Sequence, residues 1–158
     1  MEAFKLQKRI WRDSDFADMG WHDATLWSIT ADPERFEFLA DLDYILKWVE
    51  PAGGETYFRF WVAPVTMVFH NAHTVRVNTD SAQGVLEIAD FVRESAGLTS
   101  NQQMAQYTYR FDCQEGTISL VATGFSLFVR RMPILTSSQR LELAERGGIS
   151  FERDSAAA

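Results

Sequence analysis

Phe36-Glu37-Phe38-Leu39-Ala40-Asp41-Leu42-Asp43-Tyr44-Ile45-Leu46-Lys47-Trp48-Val49 is the stretch on which the fold turns. Phe36, Phe38, Ala40, Leu42, Tyr44, Leu46 and Trp48 take every second position, the period of a strand and not of one helical face. At about 3.3 Å per residue the segment runs roughly 45 Å, so it is expected to bend or carry a bulge and to serve two neighbours or two sheets. The alternate positions hold Glu37, Leu39, Asp41, Asp43, Ile45, Lys47 and Val49. Two carboxylates therefore sit among aliphatic groups on the second face.

Outward from this strand the pattern stays β. Ala24 to Thr30 precedes it, separated by a turn around Pro33. Another turn, Glu50 to Glu55, leads to the ring-rich Tyr57 to Ala63. Pro64 removes a ladder donor and predicts an edge, a bulge or a strand boundary there. Val65 to Phe69, Thr74 to Asn78 and Val85 to Val92 follow as strands. Ser95 to Gln103 is small and polar and predicts a loop. Gln106 to Cys113 and Thr117 to Val129 predict a hairpin around Gln114-Glu115-Gly116. Along its second arm Ile118, Leu120 and Ala122 are even, whereas Phe125, Leu127 and Val129 are odd. That change of phase at Thr123-Gly124 predicts a β-bulge. Thr136-x-x-Gln139 has the form of a capping box, and Gly147-Gly148 can end a helix, which predicts a helix over Ser137 to Arg146. The expected architecture is mainly β: an antiparallel β-sandwich or partly open β-barrel of about eight strands with one short C-terminal helix. A single domain over 1–158 is expected, with an ordered core over about 14–150 and a frayed tail at 154–158.

Composition narrows the function classes. Twelve Phe, five Trp and four Tyr supply large apolar groups for a core. Cys113 is the lone cysteine, which rules out an internal disulfide framework. No apolar leader and no run of 18 apolar residues is present, so a cytoplasmic protein with no membrane partner is expected. Asp and Glu number 22 against 15 Lys and Arg, a formal charge of −7. Such a balance disfavours nucleic acid, which calls for a basic stripe, and would steer a basic protein partner. There is no phosphate loop, dinucleotide fingerprint or nucleophile elbow, so no cofactor is expected.

Three constellations could carry chemistry. In Trp21-His22-Asp23, a histidine beside a carboxylate can be an oriented base, although only a turn would bring the two together. The plainer alternative makes Trp21 a core anchor and lets His22 and Asp23 satisfy backbone groups. Asp41 and Asp43, with Glu37 on the same face, could share a proton, hold a cation or act as acid and base. The alternative is a water-facing strand with charges balanced by Lys47 or Arg59. His70 and His73 make half of a zinc site, but zinc needs three or four ligands and an extended strand would turn the two rings apart. Trp21, Tyr57 and Trp61 are candidate binding residues, with Tyr57 and Trp61 as anchors at an interface.

The set Trp21-His22-Asp23, Asp41-Leu42-Asp43-Tyr44-Ile45 with Trp48, and Tyr57-Phe58-Arg59-Phe60-Trp61-Val62-Ala63-Pro64 resembles a family of small bacterial proteins without an assigned activity. Ala122-Thr123-Gly124-Phe125 and Pro133-Ile134-Leu135 fit the same pattern. That resemblance spans about residues 19–140 and implies no catalytic residue. In size, acidity and β content the chain also looks like immunity proteins that neutralise bacterial toxins. The leading expectation is a non-enzymatic protein-binding module. One alternative is a carboxylate-dependent hydrolase-like enzyme built on His22, Asp41 and Asp43. Another is a homo-oligomer with exposed rings at its interface.

Overall fold

Ten strands and one helical turn make up the computed structural model, which describes residues 3–153. The strands are β1 (Ile10–Arg12), β2 (Thr25–Asp32), β3 (Glu37–Val49), β4 (Arg59–His70), β5 (His73–Thr79), β6 (Leu86–Leu98), β7 (Ala105–Cys113), β8 (Gly116–Ala122), β9 (Gly124–Val129) and β10 (Ile134–Thr136); α1 is Leu143–Arg146. A 3-10 turn, Asp13–Asp18, follows β1. All pairings are antiparallel, in the order β1-β9-β4-β3-β2-β6-β7-β8-β5, with β10 beside β4. The path does not close on itself, so the expected mainly β architecture is an open sandwich or barrel with one short C-terminal helix. No described helix is long and apolar enough to cross a membrane. The tail expected to fray, 154–158, lies outside the described residues.

β3 organises the molecule as its alternation requires. Phe38, Ala40, Leu42 and Tyr44 face the main core, together with Ala63, Val65, Met67 and Phe69 of β4. Phe69, Phe91, Tyr109, Phe111 and Phe125 meet there, with centroids of Phe91 and Phe111 only 4.4 Å apart. The expected bulge in β3 lies between Ile45 and Lys47. It moves Trp48 off the core face and pairs it with Phe60 on the other side.

The second face of β3 is buried too. The chain after β10 straps across it, and Leu141 joins Ile45, Phe60 and Val62 in a second apolar cluster. The strap explains why the helix is shorter than Ser137 to Arg146. Leu141 must reach the sheet, and its N–H donates to Asp43 rather than to a helical carbonyl. The real cap is Glu142, whose N–H donates to the Glu145 carboxylate (3.0 Å), and Gly147 ends the turn at a φ of 79°.

Three other local expectations change for tertiary reasons. Pro64 does not end its strand: β4 runs through it, opposite Asp43. The β4 edge facing away from β3 changes partner there, from β10 at Phe60–Val62 to β9 at Val65–His70. The Pro64 carbonyl accepts from Arg130 N on that side, so its missing donor faces the junction where little ladder is lost. Ser95 to Leu98 belongs to β6, leaving the loop at 99–104. The phase change at Thr123-Gly124 is not a bulge. β8 pairs with β7 and β5, whereas β9 pairs with β4 and β1. The chain there crosses from one half of the structure to the other, alongside the turn from β4 into β5. Thr123 N–H binds the His70 carbonyl at 2.9 Å to hold this corner.

Candidate functional site

Asp41 and Asp43 project together from the second face of β3, as their spacing predicts, but both have 0% exposure. Asp41 accepts four hydrogen bonds: from Arg130 Nη2 (2.8 Å), Arg146 Nη2 (2.6 Å), Arg146 Nη1 (2.9 Å) and the Ser150 N–H (2.9 Å). Asp43 accepts three: from Arg146 Nε (3.0 Å), Trp27 Nε1 (2.9 Å) and the Leu141 N–H (2.8 Å). A bulge in β2 between Leu26 and Ser28 sets Trp27 for this bond. Arg146 also donates to the carbonyls of Leu42 and Gly148, so every N–H of its guanidinium is engaged. Burial opposes the charge on Arg146, and the Asp41 and Asp43 carboxylates outweigh it, raising its pKa. The aspartates therefore do not face water with Lys47 or Arg59. They bind the strap to the sheet, and no substrate can reach them.

His22 lies elsewhere. Its Nδ1 meets the Ala89 carbonyl (3.2 Å) and its Nε2 is 3.5 Å from Asp23. A left-handed turn at Asp23, φ 67°, makes that approach possible. His22, Asp41 and Asp43 do not converge. Trp21 is a buried core ring, edge-on to Tyr44 and Phe91, and is not at a binding surface. Trp61 is half-buried against Phe4 of the N-terminal segment. Tyr57 is open to solvent, with 81% exposure. His70 and His73 stand on either side of the corner. His70 meets Ser126 Oγ (2.9 Å), whereas His73 meets Thr74 and Gln106. Among the described residues no three His, Cys, Asp or Glu side chains gather as a metal site. Burial, with Glu115 and Asp112 nearby, pushes the Cys113 thiol up to about 11, far from a reactive thiolate at neutral pH.

One constellation escapes the sequence because its parts are far apart in the chain. Ser126, His70 and Glu37 stand in the order of a hydrolytic triad. Yet Ser126 is 2% exposed, which leaves no room for an acyl group on Oγ. Glu37 lies 3.8 Å from His70 Nδ1 and is bound to Arg153. Burial lowers the His70 pKa further. The arrangement is a polar layer on the sheet and lacks a reaction space.

The open chemistry lies around His22 and Asp23. The imidazole stacks on Trp48 at 6.3 Å between centroids, with their planes 14° apart. Trp48 packs edge-on against Phe58 (6.0 Å) and Phe60 (4.9 Å). Trp48, Tyr57 and Phe58 are all exposed. Asp23, next to His22 in the chain, lines a cleft of about 410 Å3 together with Asp80, Glu87, Glu115 and Arg140. Desolvation, then the Asp23 carboxyl and Glu115, raise the Glu87 pKa.

The chain matches no family model, no curated protein and no solved structure. Its site is therefore read from its own geometry.

Proposed function

We propose that this protein is a non-enzymatic binding module for a basic protein, as an immunity-type inhibitor would be. The observation that carries this reading is an exposed aromatic cluster, His22, Trp48 and Phe58, beside the Asp23–Glu87 cleft. Rings supply large contact area at small entropic cost, and interface hot spots are rich in them. Four carboxylates against one guanidinium at the cleft select a cationic partner and speed its approach. The alternative carboxylate enzyme loses support, because Asp41 and Asp43 are fully buried and together accept seven hydrogen bonds from the strap, Arg130 and Trp27.

Capture from native lysate at low and moderate salt, with the wild type beside a Trp48→Ser/Phe58→Ser variant, tests this. A stoichiometric basic protein should be retained by the wild type. Its affinity should fall roughly thirtyfold in the variant, the effect of losing about 2 kcal/mol of hot-spot contact. Recovery from both baits of only what bait-free beads retain would refute the proposal.

A further inference from the structure

Between β2 and β5 the two halves of the structure fail to meet. β2 pairs with β6 only at Thr25 and Leu26, so Ser28 to Asp32 have β3 on one side and no strand on the other. β5 ends the sheet path and pairs only with β8. These free edges face one another across a cavity of about 280 Å3, lined by Leu26 to Ile29 from β2 and by Val77 and Thr79 from β5.

The side chains along this seam are arranged for an interior. Directly opposed residues on paired strands share a face. Ile29 opposes Ala40, Ala31 opposes Phe38 and Val77 opposes Ile118, and all three partners are buried in the core. Ile29, Ala31 and Val77 therefore point inward. Even so, Ala31 is exposed and Val77 is 52% exposed. Ile29 is half-buried against the core, whereas Ala31 and Val77 lie uncovered on the core-facing side of strands that have no neighbour there. Proteins usually defend free edges with lysine, proline or a covering loop. Along the free edge of β2 the one charge is Asp32 at its end, and β5 has only Arg76 and no proline.

We propose that this seam accepts one extended strand of a partner protein, whose alternate apolar side chains cover Ile29, Ala31 and Val77 while a basic residue at its end enters the acidic cleft. The seam leads into that cleft, since Ser81 and Leu86 line both. Two facing runs of unpaired peptide groups suit a polypeptide backbone better than a small molecule. A second copy of this chain fits poorly. Pairing β5 with its own copy would leave Ala31 and the free edge of β2 bare and bring two clefts of like charge together. The inference rests on the reading of this face as a site for a basic protein, and it uses a surface separate from Trp48 and Phe58.

The test uses the full chain and nine-residue peptides of alternating valine and threonine ending in two lysines, made in both polarities. Glutamate-ended and backbone N-methylated twins serve as controls. One lysine-ended peptide should bind at least about tenfold more tightly than its glutamate twin, with the difference shrinking as salt rises. N-methylation should abolish binding. Amides of both Ser28–Ala31 and Arg76–Thr79 should gain protection from hydrogen exchange. Val77→Lys, on an exposed side chain, should remove binding without unfolding the protein. Failure of both polarities overturns the proposal, as does protection of one strand alone, binding that survives Val77→Lys, or light scattering that shows a dimer paired through β5. The Trp48→Ser/Phe58→Ser variant should bind the peptide normally. Lost peptide binding with retained lysate capture sinks the seam alone, whereas the converse sinks the aromatic interface alone.

Discussion

Neutralising Asp41 leaves Arg130 and Arg146 facing each other in a dry site with no counter-charge between them and only Asp43 nearby. Breaking a buried pair from one side commonly costs about 3–5 kcal/mol, because the remaining charge is stranded. Asp41→Asn and Arg146→Met should each destabilise by about that amount in urea denaturation. The double variant Asp41→Asn/Arg146→Met should lose clearly less than the sum, since it strands fewer charges. Additive losses would show that the network contributes no coupling. The sequence displays the two aspartates side by side, and their shared face was legible from parity alone. Their partners stand 89 and 105 positions downstream, beyond any local pattern. Burial by a returning segment, rather than exposure on an open sheet, could not be read from β3 itself.

At the scale of single elements, the β7–β8 turn fixes the free edge of β5. Gly116 has a φ of +139°, and a Cβ there would lie 2.1 Å from the Asn78 carbonyl oxygen. Gly116→Ala should push the end of β5 off β8 and cost about 1–3 kcal/mol, the usual range for a strained backbone position. Hydrogen exchange should show lost protection over Arg76 to Thr79, with β3 and β4 unchanged. Unaltered protection in β5 would mean that the turn absorbs the extra atom. Elements with long alternation were legible: β3, β7 and the start of β8 lie where their period places them. Thr123 shows where period stops being informative. A bulge and a crossing between sheets produce the same phase change, and only the partner strands distinguish them. Pro64 and the Ser137 segment show the complementary failure. Local rules for strand and helix gave way to a change of neighbour in one case and to the anchoring of Leu141 in the other.

For the whole molecule, the outer strap counts as much as the core. It covers Ile45, Phe60 and Val62 with Leu141, and it brings Arg146 and the Ser150 and Glu152 backbone onto β3 and β4. Truncation after Thr136 should therefore remove more than a peripheral tail. The near-ultraviolet signal of the packed rings should collapse and a hydrophobic dye should bind, as in a loosened compact state. A cooperative thermal transition like that of the full chain would show instead that sheet and core stand alone. The mainly β architecture was legible at this scale from turn spacing and ring content. The open seam was not, because a missing neighbour leaves no mark on the strands that lack it.

The dependence of Asp41 and Asp43 on residues 130–150 also sets an order of events during translation. When β3 and β4 have left the ribosome, their guanidinium partners have not yet been made. At roughly 5–20 residues per second, several seconds separate the emergence of Asp41 from that of Arg146. Until then the second face of β3 must keep its carboxylates in water, so the nascent sheet cannot take its final form. Chains stalled before Arg146 clears the exit tunnel should therefore be cut by proteases faster than the complete chain.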